Sequence, residues 1–177
     1  SRYNLINSYF GGYQREEKMP SSILKTKTNI PLPRSSLVER PRLIEKLNLG
    51  CRTKLTLISA PAGYGKSSLV SEWAHKNSLS ITWLTLDNLD NDLTRFVNYF
   101  IAAFKRFKPT FGDTILSLLD SPQTPSSQNL LSGLVNEING LKEEHVLVLD
   151  DFHVITNRAI NEVIHYLVEN LPLKTHL

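Results

Sequence analysis

The sequence predicts an α/β domain, a parallel sheet flanked by helices. Three observations predict it. Short Leu-, Ile- and Val-rich runs alternate with longer stretches of helical periodicity, a loop with Gly63, Gly65 and Lys66 joins one run to the helix after it, and another run ends in Asp150-Asp151.

Residues 1–18 are polar with scattered aromatics. Ser1 at the start and Met19 as the single methionine suggest a fragment or a misplaced start, so this leader stays outside the fold argument. Between Thr28 and Arg42, Pro31, Pro33 and Pro41 remove backbone donors and forbid a long helix, which makes the stretch an extended approach segment. Pro41 suits the first turn of a helix, and Leu43, Ile44 and Leu47 give that helix a short apolar face ending at Gly50. Lys54–Ala60 (KLTLISA), bounded by Pro61 and Gly63, reads as a buried strand running into a loop. Ser67–Lys76 then places Leu69, Val70, Trp73 and Ala74 on one helical face, and Ile81–Leu86 (ITWLTL) reads as the second strand.

Further on, Thr94–Phe107 carries Phe96, Phe100, Ala103, Phe104 and Phe107 at helical spacing, and Leu130–Leu141 repeats the pattern with Leu131, Leu134, Val135 and Ile138. Both are packing helices, separated by an exposed Pro- and Ser-rich loop, Ser121–Gln128. His145–Leu149 (HVLVL) is apolar without alternation, as in a parallel strand buried on both faces that delivers the two acids at its carboxyl edge. A last helix carries Ile160, Val163, Ile164, Leu167 and Val168 and stops near Pro172.

Composition narrows the function classes. With 41% hydrophobic and 21% charged residues, the chain has the make-up of an ordinary globular domain. Twenty basic against 17 acidic residues, +3 overall, is too mild for nucleic-acid contact unless the basic groups cluster. The one weak cluster, Lys105, Arg106 and Lys108, reads as a solvated helix end. Cys51 is the sole cysteine, so no internal disulfide forms, and no Cys/His group has metal-ligand spacing; a reducing compartment follows. No apolar run approaches the roughly 20 residues that span a bilayer, and no signal peptide is visible, so a cytoplasmic location with no membrane partner is expected.

The chemistry sits in the loop Ala60, Pro61, Ala62, Gly63, Tyr64, Gly65, Lys66, Ser67, with Ser68 after it. A strict phosphate-binding loop begins with glycine where Ala60 stands here. The rest fits. Gly63 and Gly65 let successive N–H groups turn inward around phosphate oxygens, Lys66 neutralises the β and γ phosphates, Ser67 ligates Mg²⁺, and the following helix adds free N–H groups and a positive dipole. A dinucleotide fingerprint is rejected because its third glycine is absent. Asp150 supplies the acid that holds Mg²⁺ from the strand edge, and Asp151 is the candidate catalytic residue that orients or polarises an attacking water. The ligand predicted is a nucleoside triphosphate, ATP with Mg²⁺.

Other polar groups read as structural. Asp87, Asp90, Asn91 and Asp92 lack the glycine and final glutamate of a calcium loop and read as a turn with a helix cap. His153 is near the acids but is left out of the catalytic set, and His75, His145, His165 and His176 have no partners at metal spacing.

Four segments in order, LKTKTNIPLPRSSLVERPRLIEKL, KLTLISAPAGYGKSSLVSEWA, WLTLDNLDNDLTRF and VLVLDDFHVI, resemble the MalT-like, LuxR-type ATP-dependent transcriptional regulators, from about Leu24 to the end of the chain. The resemblance implies a STAND-type signal-transduction ATPase of the ASCE class, with Walker A at Ala60–Ser67 and Walker B at Asp150 and Asp151. It implies that Leu37–Arg40 belongs to the part closing over the adenine. It also implies an inducer-sensing repeat domain, self-association of the full-length protein, and DNA binding by a separate carboxyl-terminal helix-turn-helix, with no direct nucleic-acid contact from this chain. In the family the next strand would begin at Thr175-His176-Leu177 and lie between the Walker A and Walker B strands. The chain is therefore expected to be an amino-terminal piece, truncated before that sensor strand, with a gap at the sheet centre.

The expected division is a leader at 1–23, an approach segment and short helix contributing to the nucleotide site at 24–53, and an NTPase core at 54–177, incomplete at its carboxyl end. The expected function is a regulatory ATP-binding switch, at most a weak, slow ATPase. Two alternatives stand beside it: a small P-loop kinase for a metabolite or nucleotide, and an inactive remnant.

Overall fold

The computed structural model describes residues 23–33, 38–119 and 127–177. Residues 1–22 of the expected leader, residues 34–37 of the expected approach segment, with Leu37 of the adenine-closing stretch, and residues 121–126 of the expected loop lie outside the described residues. Among the described residues three parallel strands, β1 (Ser80–Thr85), β2 (His145–Asp150) and β3 (Thr175–His176), form one sheet in the order β1-β2-β3. Its helices are α1 (Lys25–Thr28), α2 (Pro41–Gly50), α3 (Lys66–Lys76), α4 (Leu93–Phe104), α5 (Asp113–Leu119), α6 (Ser127–Asn139) and α7 (Arg158–Asn170). This is the α/β, P-loop NTPase-like arrangement the sequence predicts. Among the described residues no helix is long and apolar enough to cross a membrane.

The register pairs Ser80 with His145 through Thr85 with Asp150, so β1 and β2 end together. Alternate side chains enter two separate cores, as strand pleating requires. Leu84 and Leu147 face the larger core, where α4 contributes Phe96, Phe100 and Phe104, α6 contributes Leu131, Leu134 and Ile138, and α7 contributes Ile160, Val163 and Leu167. Ile81, Trp83 and Val146 face the smaller one, closed by Val70, Trp73 and Ala74 of α3 and by half-buried Ile44 and Leu47 of α2. Trp73 Nε1 donates to Asn48 Oδ1 at 2.7 Å and fixes α2 against α3.

Phe104 is wholly buried, its ring 4.6 Å from that of Phe111 and 5.3 Å from that of His145. Truncating it to alanine would cost about 3–5 kcal/mol, because the transfer and cavity terms add. Helix ends follow local chemistry. Asp92 accepts from Arg95 N to cap α4, Asn157 accepts from Ala159 N to cap α7, and Pro41 opens α2.

Two expectations need correction. Lys54–Ala60 is not a strand of the sheet. Leu177 N donates to the Lys54 carbonyl at 3.0 Å and Thr56 N to the Leu177 carbonyl at 2.8 Å, but no strand pairs with Leu57–Ala60 among the described residues. The physical reason is local: β3 meets β2 only at Thr175 and His176, so the neighbour that would carry the ladder onward is two residues long. Leu57 is accordingly 83% exposed. The strand expected to be missing beside β2 is thus present as β3, and Leu177 bridges it to Lys54–Thr56. Second, Ser127 and Gln128, expected in the loop, open α6 instead. The turn read at Asp87–Asp92 is a 3-10 turn at Asn88–Asn91 followed by the Asp92 cap of α4, whereas helix α5 and the 3-10 turn at Phe152–Val154 were not expected.

Candidate functional site

The site forms where three elements converge at the carboxyl edge of the sheet. Leu57–Ala60, without regular secondary structure, leads into the loop, and the loop closes on Gly65, the residue before α3. Gly63 and Gly65 both take left-handed backbone angles, φ 83° and φ 75°. A side chain in that conformation costs roughly 1–2 kcal/mol, so glycine is what allows this turn. Among the described residues nothing lies within 4 Å of where a Cβ on Gly63 would project. The first N–H groups of α3 have no partner inside the helix, and they begin at Lys66 and Ser67.

The Lys66 ammonium folds back onto its own loop, donating to the carbonyls of Ala60 at 2.8 Å and Pro61 at 3.2 Å. Tyr64 N donates weakly to Pro61 O at 3.4 Å, and the Tyr64 side chain is exposed. Across the sheet edge, the Ser67 hydroxyl donates to Asp150 Oδ1 at 2.7 Å. This joins the loop helix to the end of β2, two segments the sequence assigned to one site from opposite halves of the chain. Ser68 is half-buried in the first turn of α3.

Burial pushes the Asp150 carboxyl above its ordinary range. The Ser67 hydrogen bond opposes this, the negative Asp151 adds to it, and the Asp151 amide and the Lys66 charge oppose it. Asp151 takes φ 59°, the one left-handed non-glycine among the described residues. Its amide donates to Asp150 Oδ1 at 3.2 Å. Asp151 Oδ1 lies 3.7 Å from His153 Nδ1, so the two acids point to different neighbours. Strained backbone of this kind persists where surrounding contacts over-determine it.

One site residue was missed as an individual. Arg40, just before α2, donates from Nη1 to the Tyr64 carbonyl at 3.1 Å, and a Cβ on Gly65 would meet its guanidinium at 3.7 Å. A basic residue ending a proline-rich approach to a phosphate-type loop was the available signal; the sequence gives the segment but not where its guanidinium lands. A groove of about 450 Å³ lies at the other edge, by the amino ends of β2 and β3, lined by Cys51, Arg52, His145 and Lys174 among others. None of the predicted site residues lines it, and the convergence of loop, helix and acids makes the carboxyl edge the better candidate.

No family profile matches the chain. Among curated proteins, it is 30% identical over 148 residues to the serine/threonine-protein kinase PknK of Mycobacterium tuberculosis, covering 82% of this chain and 13% of that protein. It is 34% identical over 150 residues to the HTH-type transcriptional regulator MalT of Yersinia pestis, covering 85% of this chain and 16% of that protein. The chain therefore spans under a fifth of the length of either relative. Over most of its length, then, the chain is similar to one segment of a MalT regulator and one segment of PknK.

Proposed function

We propose that the chain is an ATP-binding switch module of a MalT-like regulator, in which binding is the signal and hydrolysis, slow where it occurs, resets it. The observation that carries this is the 2.7 Å contact of Ser67 with Asp150 beside Lys66, because a P-loop needs its helix hydroxyl and its strand-edge acid together.

The residues present fit a polyphosphate with a divalent cation. The open turn at Gly63 and the free amides of the first turn of α3 suit phosphate oxygens. Lys66, held by two neutral carbonyls, would exchange them for charged phosphate, a stronger hydrogen-bond partner. Ser67 Oγ and Asp150 Oδ1 are hard oxygen donors of the kind Mg²⁺ takes along with substrate oxygens and water. Bound there, the ion would neutralise charge on the β and γ phosphates. Asp151, turned away from Asp150 by its left-handed backbone, would orient a water on the exposed side. Arg40 hydrogen-bonds the loop at the Tyr64 carbonyl and would add positive charge beside a bound polyphosphate.

Gene regulation, self-association, DNA contact through another domain and a cytoplasmic setting belong to the same proposal. They are supported by the similarity to MalT and by the four family-like segments. Calorimetric titration of the chain with ATP tests the reading, with and without Mg²⁺ and against AMP. Saturable ATP binding strengthened by Mg²⁺ is expected. Equal heats for AMP and ATP, or none for either, would remove the P-loop assignment, and phosphate transfer to an added metabolite would favour the kinase alternative.

A further inference from the structure

Residues two apart in a strand share a face, so Thr85 lies on the side of β1 that carries Ile81 and Trp83, and Asp150 on the side of β2 that carries Val146 and Val148. Helix α3 covers this face, and its Ser67 meets Asp150 there. Thr85 is also the register partner of Asp150, so the two side chains project in parallel from neighbouring strands about 4.8 Å apart. Leu86 N donates to the Asp150 carbonyl at 3.0 Å, which carries the pairing past Thr85 and fixes this relation.

The Thr85 hydroxyl has a set direction. Trp83 is wholly buried, and a buried indole N–H needs an acceptor; it finds Thr85 Oγ1 at 2.8 Å. An indole nitrogen only donates, so Thr85 accepts in this bond and has its own proton to give elsewhere. Among the described residues no acceptor takes that proton. Asp150 is half used in the complementary sense. Its Oδ1 accepts from the Ser67 hydroxyl at 2.7 Å and from the Asp151 amide at 3.2 Å, whereas among the described residues no group donates to Oδ2. Both residues are half-buried, which leaves this corner of the sheet edge open to solvent. A hydroxyl donor and a carboxylate acceptor projecting in parallel from adjacent strands suit one bridging water.

We propose that Thr85 is a positioning residue for the divalent cation: its hydroxyl donates to a water of the Mg²⁺ shell that Asp150 also holds. Mg²⁺ keeps several waters when protein and phosphate oxygens bind it, and hydrogen bonds to those waters orient what the metal holds. This role rests on the ATP and Mg²⁺ reading above, and it brings β1 into a site otherwise built from the loop, α3 and β2. Thr85 itself touches neither phosphate nor cation. A Thr85 that served only to satisfy the Trp83 indole would, when its hydroxyl was removed, weaken the fold and leave the Mg²⁺ response of folded protein as it was.

The test titrates a fluorescent ATP analogue into the full chain over a series of Mg²⁺ concentrations and in EDTA, folding being checked by circular dichroism. The variants are Thr85→Val, which keeps the shape and loses the hydroxyl, Thr85→Ser, which keeps the hydroxyl, and Trp83→Phe with and without Thr85→Val. Thr85→Val should raise the Mg²⁺ concentration that gives half of the gain in affinity by about tenfold, the effect of losing an outer-shell partner, with affinity in EDTA unchanged. Thr85→Ser should stay within about twofold of wild type. In the Trp83→Phe background the loss of the hydroxyl should raise the Mg²⁺ requirement just as much. That double variant leaves neither partner unpaired, so it serves if Thr85→Val alone does not fold. An unchanged Mg²⁺ midpoint in the folded variants, or an equal loss of affinity with Mg²⁺ and in EDTA, overturns the inference while leaving ATP binding intact. Wild-type binding that Mg²⁺ does not strengthen overturns the cation reading and the inference with it, and absence of binding by the wild-type chain overturns the ATP reading as well.

Discussion

The Ser67 hydroxyl donates to Asp150 Oδ1 across 2.7 Å, joining the first turn of α3 to the last residue of β2 over 83 residues of sequence. Ser67→Ala removes a donor to a charged, half-buried acceptor, a loss of roughly 1.5–3 kcal/mol at the site. Titrating ATP against the variant with and without Mg²⁺ should show that the gain in affinity from Mg²⁺ has largely disappeared. A Mg²⁺ dependence equal to that of wild type would separate this pair from the metal.

Asp151 combines a left-handed backbone with an acid side chain, so substitutions there act on strain and chemistry separately. Glycine and asparagine tolerate φ 59°, so Asp151→Gly and Asp151→Asn should unfold within about 0.5 kcal/mol of wild type, whereas Asp151→Ala should lose about 1 kcal/mol. All three should keep ATP binding and lose any phosphate release. Urea unfolding and a phosphate-release assay on the same samples separate the two effects, and retained release in Asp151→Asn would exclude the acid as the water-orienting group.

His145 opens β2, buried against Phe104 and Phe107, and shares a 2.6 Å hydrogen bond with the Thr82 hydroxyl. Burial lowers its pKa to about 4, with the Glu143 charge raising it and the Arg106 charge lowering it further. The folded value lies below the unfolded one, so between about pH 6.5 and 4 the unfolded chain binds more protons. Stability is then complete above pH 6.5 and falls as the pH drops through that window, by on the order of 2 kcal/mol once solvent screening is allowed for. Replacing His145 with glutamine should flatten this part of the urea-midpoint profile; an unchanged slope would assign it to other groups.

Most of this architecture is legible in sequence because it is local. Pro41 and Gly50 bound α2, the aromatic spacing from Phe96 to Phe104 marks α4, and the unbroken apolar run before Asp150 marks β2. Lys54–Ala60 misled because strand assignment depends on a neighbour as well as on composition: its Leu, Ile and Thr content is right for a strand, yet the pairing available reaches only Thr56. Asp90 shows a different limit. Its place in a turn was readable, but its burial against Lys27, 63 residues away, depends on how α1 docks on β1. Arg40 was hidden for the same reason, since a surface arginine looks alike in sequence whether or not it lands on a loop carbonyl.

The most direct test of the account is the thermal unfolding of the chain and of Lys66→Ala, each with and without excess ATP and Mg²⁺. A ligand at about a hundred times its Kd stabilises the native state by about 2.7 kcal/mol. Wild type should therefore show a cooperative transition that moves up by several degrees, and Lys66→Ala should unfold at the same temperature as unliganded wild type and not move. An equal shift in both proteins would contradict a phosphate loop centred on Lys66, and no shift in a cooperatively unfolding wild type would contradict ATP binding itself.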